Sequence, residues 1–318
     1  MRVAFDARPT ADTRGIGRYA RCLLAALEAG GREVTETHRP RRHDVFHSPW
    51  LDGALLRSPC PMVVTLHDVV PLKRRSEYLR SGVRFRIRYL AVSRAARVIV
   101  PTAAVAEDAV SLLGLPRDRL DVIAEASSPA LAAAGPDAVA AVRQRYGLPE
   151  RYLLWVGGLE HPDPRKRVAA LAAAPRRLPL VLVGKYRSWA RDLPNVTLTG
   201  YVPDSDLAAI YTGAHALVFP SDEEGFGLPP VEALACGTPV AACDVPAVRE
   251  VLDGRATLVA ADDLAGLVAA AEGATRPAPV PPAWSWDDAA AATWDTYERA
   301  ASFRGAAAPR PGNGVPEG

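Results

Sequence analysis

Residues 219–252 read FPSDEEGFGLPPVEALACGTPVAACDVPAVREVL, and the punctuation of this stretch decides the fold. The apolar run Ala216-Leu217-Val218-Phe219 is short and stops at Pro220, as a buried strand does. Glu223-Glu224-Gly225-Phe226-Gly227 then forms a loop that turns on its glycines. Pro229 and Pro230 suit a helix start, where a missing N–H costs nothing. Gly237 and Pro239 stop that helix, and Val240-Ala241-Ala242 resumes a buried strand. Strand, loop, helix and strand in this order are the repeat of a doubly wound α/β sheet.

The same stretch carries chemistry. A glycine loop that opens a helix aims free N–H groups and the positive end of the helix dipole at whatever lies in front, which favours phosphate. Glu224 stands before the helix and Glu232 on it. Carboxylates repel a phosphate, so these two suit sugar hydroxyls on either side of one. A nucleotide-diphosphate sugar has that layout, with hexose and ribose flanking the diphosphate.

This stretch resembles the E-x7-E signature of retaining GT-B glycosyltransferases of family 4. It is most similar to the mannosyltransferase-like branch, whose members read close to PS-x-x-EGFGLP-x-x-EAMACGTPV. The resemblance implies that Glu224 contacts the donor hexose and Glu232 the ribose hydroxyls. It also implies that amides near Gly225, Phe226, Gly227 and Leu228 face the donor. The branch implies GDP-mannose as the donor, and no cofactor beyond that substrate.

Strand–helix alternation continues outward from this stretch. Val3-Ala4-Phe5 reads as a strand, and Gly15-Ile-Gly17-Arg-Tyr-Ala20 opens an amphipathic helix. That hexad matches the dinucleotide fingerprint G-x-G-x-x-A, but residues 8–14 separate it from its strand, which argues against a dinucleotide-dependent oxidoreductase. A non-catalytic sugar-nucleotide-binding protein on the same fold is the other alternative. The family resemblance extends here through Asp6, Arg8, Gly15, Gly17, Arg18 and Tyr19. It implies that the Gly15–Gly17 loop lies over the donor diphosphate, with Arg8 and His47 as acceptor-side candidates.

Val63-Val64-Thr65-Leu66 is a strand ending at His67-Asp68, with Pro71 beyond. Carboxyl ends of strands face the ligand crevice in such sheets. His67 matches the family's HD-x-x-P, which implies contact with the donor sugar near the reacting carbon. After the strand Asp121-Val122-Ile123, relatives have an asparagine–glycine turn where this chain has Ala124-Glu125-Ala126-Ser127-Ser128. Ala130 to Gln144 is alanine-rich and is expected to be helical.

Tyr152 to Gly157 opens the second half as a strand, with Arg165-Lys166 after it. A lysine at the crevice end of a strand can neutralise a leaving diphosphate as a compact cation. Relatives read G-x-L-x-P-R-K-N, which Lys166 matches, and the resemblance brings Gly157 to the donor too. Some relatives carry an arginine where Gly158 stands, so that second cation is absent or supplied by Arg165. His67, Lys166 and Glu224 are the expected catalytic residues. Asp204-Ser205-Asp206 looks like a metal motif but is expected to cap and open a helix, so no metal is expected.

Composition bounds the rest. With 318 residues, 49% hydrophobic and 23% charged, the chain is long enough for two ordinary domains and too apolar for disorder. The net charge of +2 is too small to suggest nucleic acid. Cys22, Cys60, Cys236 and Cys243 show no zinc-ligand spacing, and free thiols fit a reducing cytosol. The N-terminus reads as a strand and a charged loop, not a signal peptide, and no apolar run approaches the ~20 residues of a membrane span.

The expected organisation is an acceptor-side Rossmann-like domain at 1–148 and a donor-binding domain at 149–283. A helix at 284–303 returns to the first domain, and 304–318 is a disordered tail. Between Lys73 and Arg97 lies a basic helical stretch. Tyr78, Phe85, Tyr89 and Val92 share one stripe, while Arg80, Arg84 and Arg88 share another. That row invites an anionic partner: a lipid head group at the inner membrane face, an acidic acceptor, or acidic residues of the fold itself.

Overall fold

The computed structural model describes residues 1–74 and 82–302, with the side chains of 82–86 excepted. Two six-stranded sheets form, with every pairing between strands parallel. The first contains β1 (Val3–Phe5), β2 (Val34–Glu36), β3 (Val45–Ser48), β4 (Met62–Thr65), β5 (Arg97–Val100) and β6 (Leu120–Val122), in the order β2-β1-β3-β4-β5-β6. The second contains β7 (Leu153–Val156), β8 (Leu180–Val183), β9 (Val196–Gly200), β10 (Ala216–Phe219), β11 (Val240–Cys243) and β12 (Thr257–Val259), in the order β12-β11-β10-β7-β8-β9. These are two doubly wound domains of a GT-B fold.

The burial pattern explains the parallel sheets. Central strands such as β4, β8, β10 and β11 are buried at every position, as strands covered by helices on both faces must be. In the first half, one face of the sheet packs Leu23 and Leu27 of the Gly15–Ala29 helix with Trp286, Trp294 and Tyr297 of the Trp286–Ser302 helix. The other face packs Val64, Val98 and Val100 against Tyr89, Val92 and Val105. The last helix thus crosses back from the second half onto the first. Ser285 caps it, accepting from the Asp288 amide and donating to the Asp288 carboxylate.

Three local expectations need correction. The alanine-rich helix runs Pro136–Tyr146 and not from Ala130, because Gly135 and Pro136 begin it and 130–135 stay outside any helix. Neither Asp204 nor Asp206 caps its helix: Pro203 holds that position, and both aspartates lie in the first turn. The helix Gly82–Ser93 ends before Arg94, so the basic stretch is not one continuous helix. Tyr89 and Val92 are buried as the stripe requires, and Arg88 pairs with Asp52 at 2.6 Å, an acidic residue of the fold itself. Tyr78, Arg80, the side chains of Arg84 and Phe85, and the tail 304–318 lie outside the described residues.

Candidate active site

A doubly wound sheet leaves a crevice where its strand order reverses. In the second half that point lies between β7 and β10. The loop after β7 carries Gly157, Gly158 and Lys166, and the loop after β10 carries Ser221, Glu224 and Gly225. All of these line one cleft, with Gly15, Arg14 and Arg18 of the Gly15–Ala29 helix and its approach on the far wall. His67, Asp68 and Glu125 complete that wall from the ends of β4 and β6.

Each side chain has a local cause. Asp163 accepts from the Arg165 amide and so caps the short 3-10 turn Pro164–Lys166, which places Lys166 in the cleft lining and leaves Arg165 outside it. Arg165 lies 3.3 Å from Asp68, 3.1 Å from Asp163 and 3.5 Å from Glu224. Burial pulls Lys166 below the usual lysine range, and the neighbouring Arg165 guanidinium pulls it further. Burial pushes the Glu224 carboxyl up, and Arg165 and Lys166 only partly oppose this. Arg165 thus has three carboxylate neighbours, whereas Lys166 forms no ion pair among the described residues.

The helix Leu228–Ala235 starts at Gly227, whose φ of 92° lies in the left-handed region that glycine favours. No side chain caps it, and Pro229 and Pro230 carry no N–H, so the donors this helix start can offer are the amides of the Gly225–Leu228 segment, which lines the cleft. Gly225 has a second reason to be glycine. A Cβ there would stand 1.7 Å from the His67 carbonyl oxygen, so the loop after β10 and the first half touch backbone to backbone. Thr102 reinforces the contact by donating to the Gly225 carbonyl at 3.0 Å.

Other expected residues have different placements. Glu232 also lines the cleft, but is buried, paired with Arg18 and accepting from the Tyr211 hydroxyl at 2.8 Å. Arg18 also reaches Asp204 at 2.6 Å, so one first-half side chain bridges to two carboxylates of the second. Gly17 does not line the cleft: a Cβ there would lie 1.8 Å from the Asp12 carbonyl, and the glycine lets the 8–12 segment pack on the helix. Arg8 forms a forked pair with Asp6, outside the cleft lining. His47 is fully buried between the Tyr297 hydroxyl at 2.7 Å and Thr65 at 2.9 Å, away from the cleft. Burial pulls it down to about 3, which keeps it neutral.

Sequence reasoning missed Glu125, Arg14 and the bridging of Arg18. Glu125 is 4% exposed and hydrogen-bonded to His67. The only signal was the departure from the asparagine–glycine turn. Arg14 packs its methylenes against Gly158, the position where some relatives carry arginine, and pairs with Asp12. Among the described residues no group of three or more His, Cys, Asp or Glu could hold a metal ion.

Two family models match the chain. Residues 14–126 match Glycosyltransferase Family 4, and residues 150–275 match Glycosyl transferases group 1. The O-antigen chain mannosyltransferase B of Escherichia coli is 31% identical over 240 residues, 68% of this chain and 61% of that protein. A D-inositol 3-phosphate glycosyltransferase of Thermobispora bispora is 31% identical over 260 residues, 71% of this chain and 60% of that protein. The matched regions therefore span about three fifths of these relatives' lengths. Among solved structures, HepE from Anabaena in complex with UDP-glucose superposes with a TM-score of 0.66 at 17% identity, over 94% of this chain and 95% of that one.

Proposed function

We propose that this chain, which belongs to the GT-B glycosyltransferases through a Family 4 region followed by a group 1 region, is a retaining hexosyltransferase that uses a nucleotide-diphosphate sugar. One observation carries the reading: Lys166 and Glu224 line the β7/β10 crevice together with the Gly225–Leu228 segment that opens the Leu228–Ala235 helix, while Arg165 lies 3.5 Å from Glu224. Cations and amides converge where a departing diphosphate gathers charge. A carboxylate beside them suits the hexose hydroxyls.

In this reading the bond from the anomeric carbon to the diphosphate breaks, and the acceptor oxygen bonds to the same face of that carbon. The acceptor proton leaves with the diphosphate. Lys166, Arg165, Gly15, Gly157 and the amides of Gly225, Phe226, Gly227 and Leu228 hold the diphosphate. Glu224 orients the hexose, His67 faces its reacting end, and Glu232 receives the ribose hydroxyls beside Arg18. Reduced solvation makes each of these interactions stronger than in water. No divalent metal takes part, because the fixed cations serve the diphosphate.

GDP-mannose is the favoured donor, supported by the mannosyltransferase relative. UDP-glucose is the second reading, supported by the ligand of HepE. The acceptor is a hydroxyl of a glycan, glycolipid or small metabolite. The reaction is placed in the cytoplasm, with Arg80 and Arg84 as the remaining candidates for an anionic membrane surface. No helix among the described residues is long and apolar enough to cross a membrane.

Thermal unfolding with GDP, UDP, GDP-mannose and UDP-glucose tests the donor. The correct nucleotide stabilises the fold by ~2.7 kcal/mol at a hundredfold excess over its dissociation constant. Turnover of the stabilising sugar nucleotide, before and after metal stripping with a chelator, tests the rest. No stabilisation by any nucleotide overturns the reading, and turnover lost on chelation and restored by magnesium overturns its metal-free form.

A further inference from the structure

Both ring nitrogens of His67 meet acceptors. Nε2 lies 3.0 Å from the Pro49 carbonyl oxygen and Nδ1 lies 3.0 Å from Glu125 Oε1. A carbonyl only accepts, so Nε2 carries a proton, and an ionised carboxylate also only accepts. A neutral imidazole with its proton on Nε2 leaves Nδ1 lone pair to lone pair with the Glu125 carboxylate. The imidazolium satisfies both contacts.

We propose that Glu125 is a positioning residue that holds His67 as an imidazolium, so that this side chain enters the cleft as a fixed positive charge and not as a proton acceptor. The proposal about the ring stands on these contacts, and its bearing on catalysis rests on the glycosyltransferase reading above.

The surroundings favour the charged ring over a neutral ring beside a protonated Glu125. Asp68 follows His67 directly and adds negative charge, while also lying 3.3 Å from Arg165. Tyr19, from the Gly15–Ala29 helix, stands edge-on at 4.7 Å and brings no charge, since burial pushes its hydroxyl far above the usual range. His47, from β3, is kept neutral by burial and adds no competing cation. Burial alone lowers His67, but the Glu125 hydrogen bond and charge outweigh it, and the ring lies above the usual histidine range. The side chain of His67 is 17% exposed, so a bound donor meets a charged ring edge. An asparagine–glycine turn at this place would supply no carboxylate, so the charge state is a property of Glu125 in this chain.

The experiment follows the ring nitrogens of the full chain, labelled with 15N-histidine, by long-range 1H–15N correlation across pH, with His67→Gln to assign the signal. Both nitrogens of His67 are expected to be protonated at pH 7, with a midpoint above the ordinary histidine value of ~6.5. Glu125→Gln is expected to lower that midpoint by about one pH unit or more and to leave Nδ1 unprotonated at pH 7. Glu125→Asp is expected to recover part of the shift. In parallel, the alkaline limb of kcat for sugar-nucleotide turnover moves down in Glu125→Gln, while affinity for the bare nucleoside diphosphate holds. An unprotonated ring nitrogen in the unaltered protein at pH 7 overturns the proposal, as does a midpoint unmoved by Glu125→Gln. Absence of turnover with the ring behaving as expected overturns only the proposed reaction.

Discussion

At the β1/β3 reversal of the first sheet the crevice is filled, while at the β7/β10 reversal of the second it stays open. Asp6, His47 and Ser48 at the first reversal are fully buried. Tyr297 of the returning helix closes over His47, and Thr65 and Tyr19 extend the hydrogen-bonded chain. Lys166, Glu224 and the start of the Leu228–Ala235 helix at the second reversal face a cleft. The difference teaches that a doubly wound sheet offers a polar site at each reversal, and that later packing decides whether it becomes core or chemistry. In the first half the last helix takes the position a ligand would take. The first half's cleft wall is instead made by the start of the Gly15–Ala29 helix and by the ends of β4 and β6, where His67 and Glu125 stand.

The sharpest way to break this contrast is Lys166→Ala. If the second crevice holds the departing diphosphate, kcat falls by about 10²–10³, or ~2.7–4 kcal/mol, as for other preorganised donors. The melting temperature stays close to that of the unaltered protein, because this lysine contributes no core packing. Steady-state kinetics at saturating donor checks the first claim and thermal unfolding the second. A full rate with a lowered melting point would make this crevice as structural as the other.

Gly225→Ala comes next, since it attacks the seam between the halves. The added methyl meets the His67 carbonyl oxygen and must push the donor loop away. Overpacking of this kind costs ~1–3 kcal/mol, here divided between stability and the closed cleft. Nucleoside diphosphate affinity by calorimetry and kcat are both expected to fall, and unchanged values for both would mean that the seam is not needed for binding.

Much of the open crevice was legible in the sequence because its signals are local. Pro220, Gly227 and Pro239 mark the end of β10, the start of the following helix and the start of β11 within one residue of where they fall. Propensity and packing agree there, so short-range punctuation suffices. The filled crevice was not legible, because the strand-end rule that brings His67 to the cleft applies equally to His47. What separates them is Tyr297, 250 residues away in the chain. The Arg18–Glu232 bridge spans 214 residues and the His67–Glu125 pair spans 58, and no periodicity encodes either. At Ala130 the failure was different: alanine favours helix, but Gly135 and Pro136 set the start.

The filled crevice predicts a pH signature. In the unfolded chain His47 takes up a proton near pH 6.5, whereas the folded protein excludes it until about pH 3. Stability from this group is therefore complete above pH 6.5 and is lost as pH falls from there toward 3, at up to ~1.4 kcal/mol per pH unit. Between pH 6.5 and 5 the loss reaches up to ~2 kcal/mol, measurable by urea unfolding. His47→Gln is expected to lack this component. Tyr297→Phe leaves the His47 Nδ1 without its partner and costs ~1–3 kcal/mol at neutral pH, with kcat of the folded fraction unchanged. A change in kcat as large as that of Lys166→Ala would place the first crevice in the chemistry after all.

The smallest effect tests how the two halves are tied. Glu250, on the second-half helix Pro246–Leu252, accepts from the amides of Ala103 and Ala104 at 2.7 and 3.0 Å. These are the first residues of the first-half helix Ala103–Leu113, so a carboxylate from one half caps a helix of the other, beside the internal cap from Thr102. Capping and the helix dipole together make such a contact worth ~0.5–2 kcal/mol. If the halves stay docked in the unliganded protein, Glu250→Ala lowers stability by about 1 kcal/mol and Glu250→Gln by less, since the amide oxygen still accepts. If the halves separate readily, water replaces the carboxylate without loss and both variants melt with the unaltered protein. Adding nucleoside diphosphate then distinguishes the cases: a ligand that draws the halves together makes the Glu250→Ala deficit larger when bound, whereas a permanently docked pair shows the same deficit with and without it.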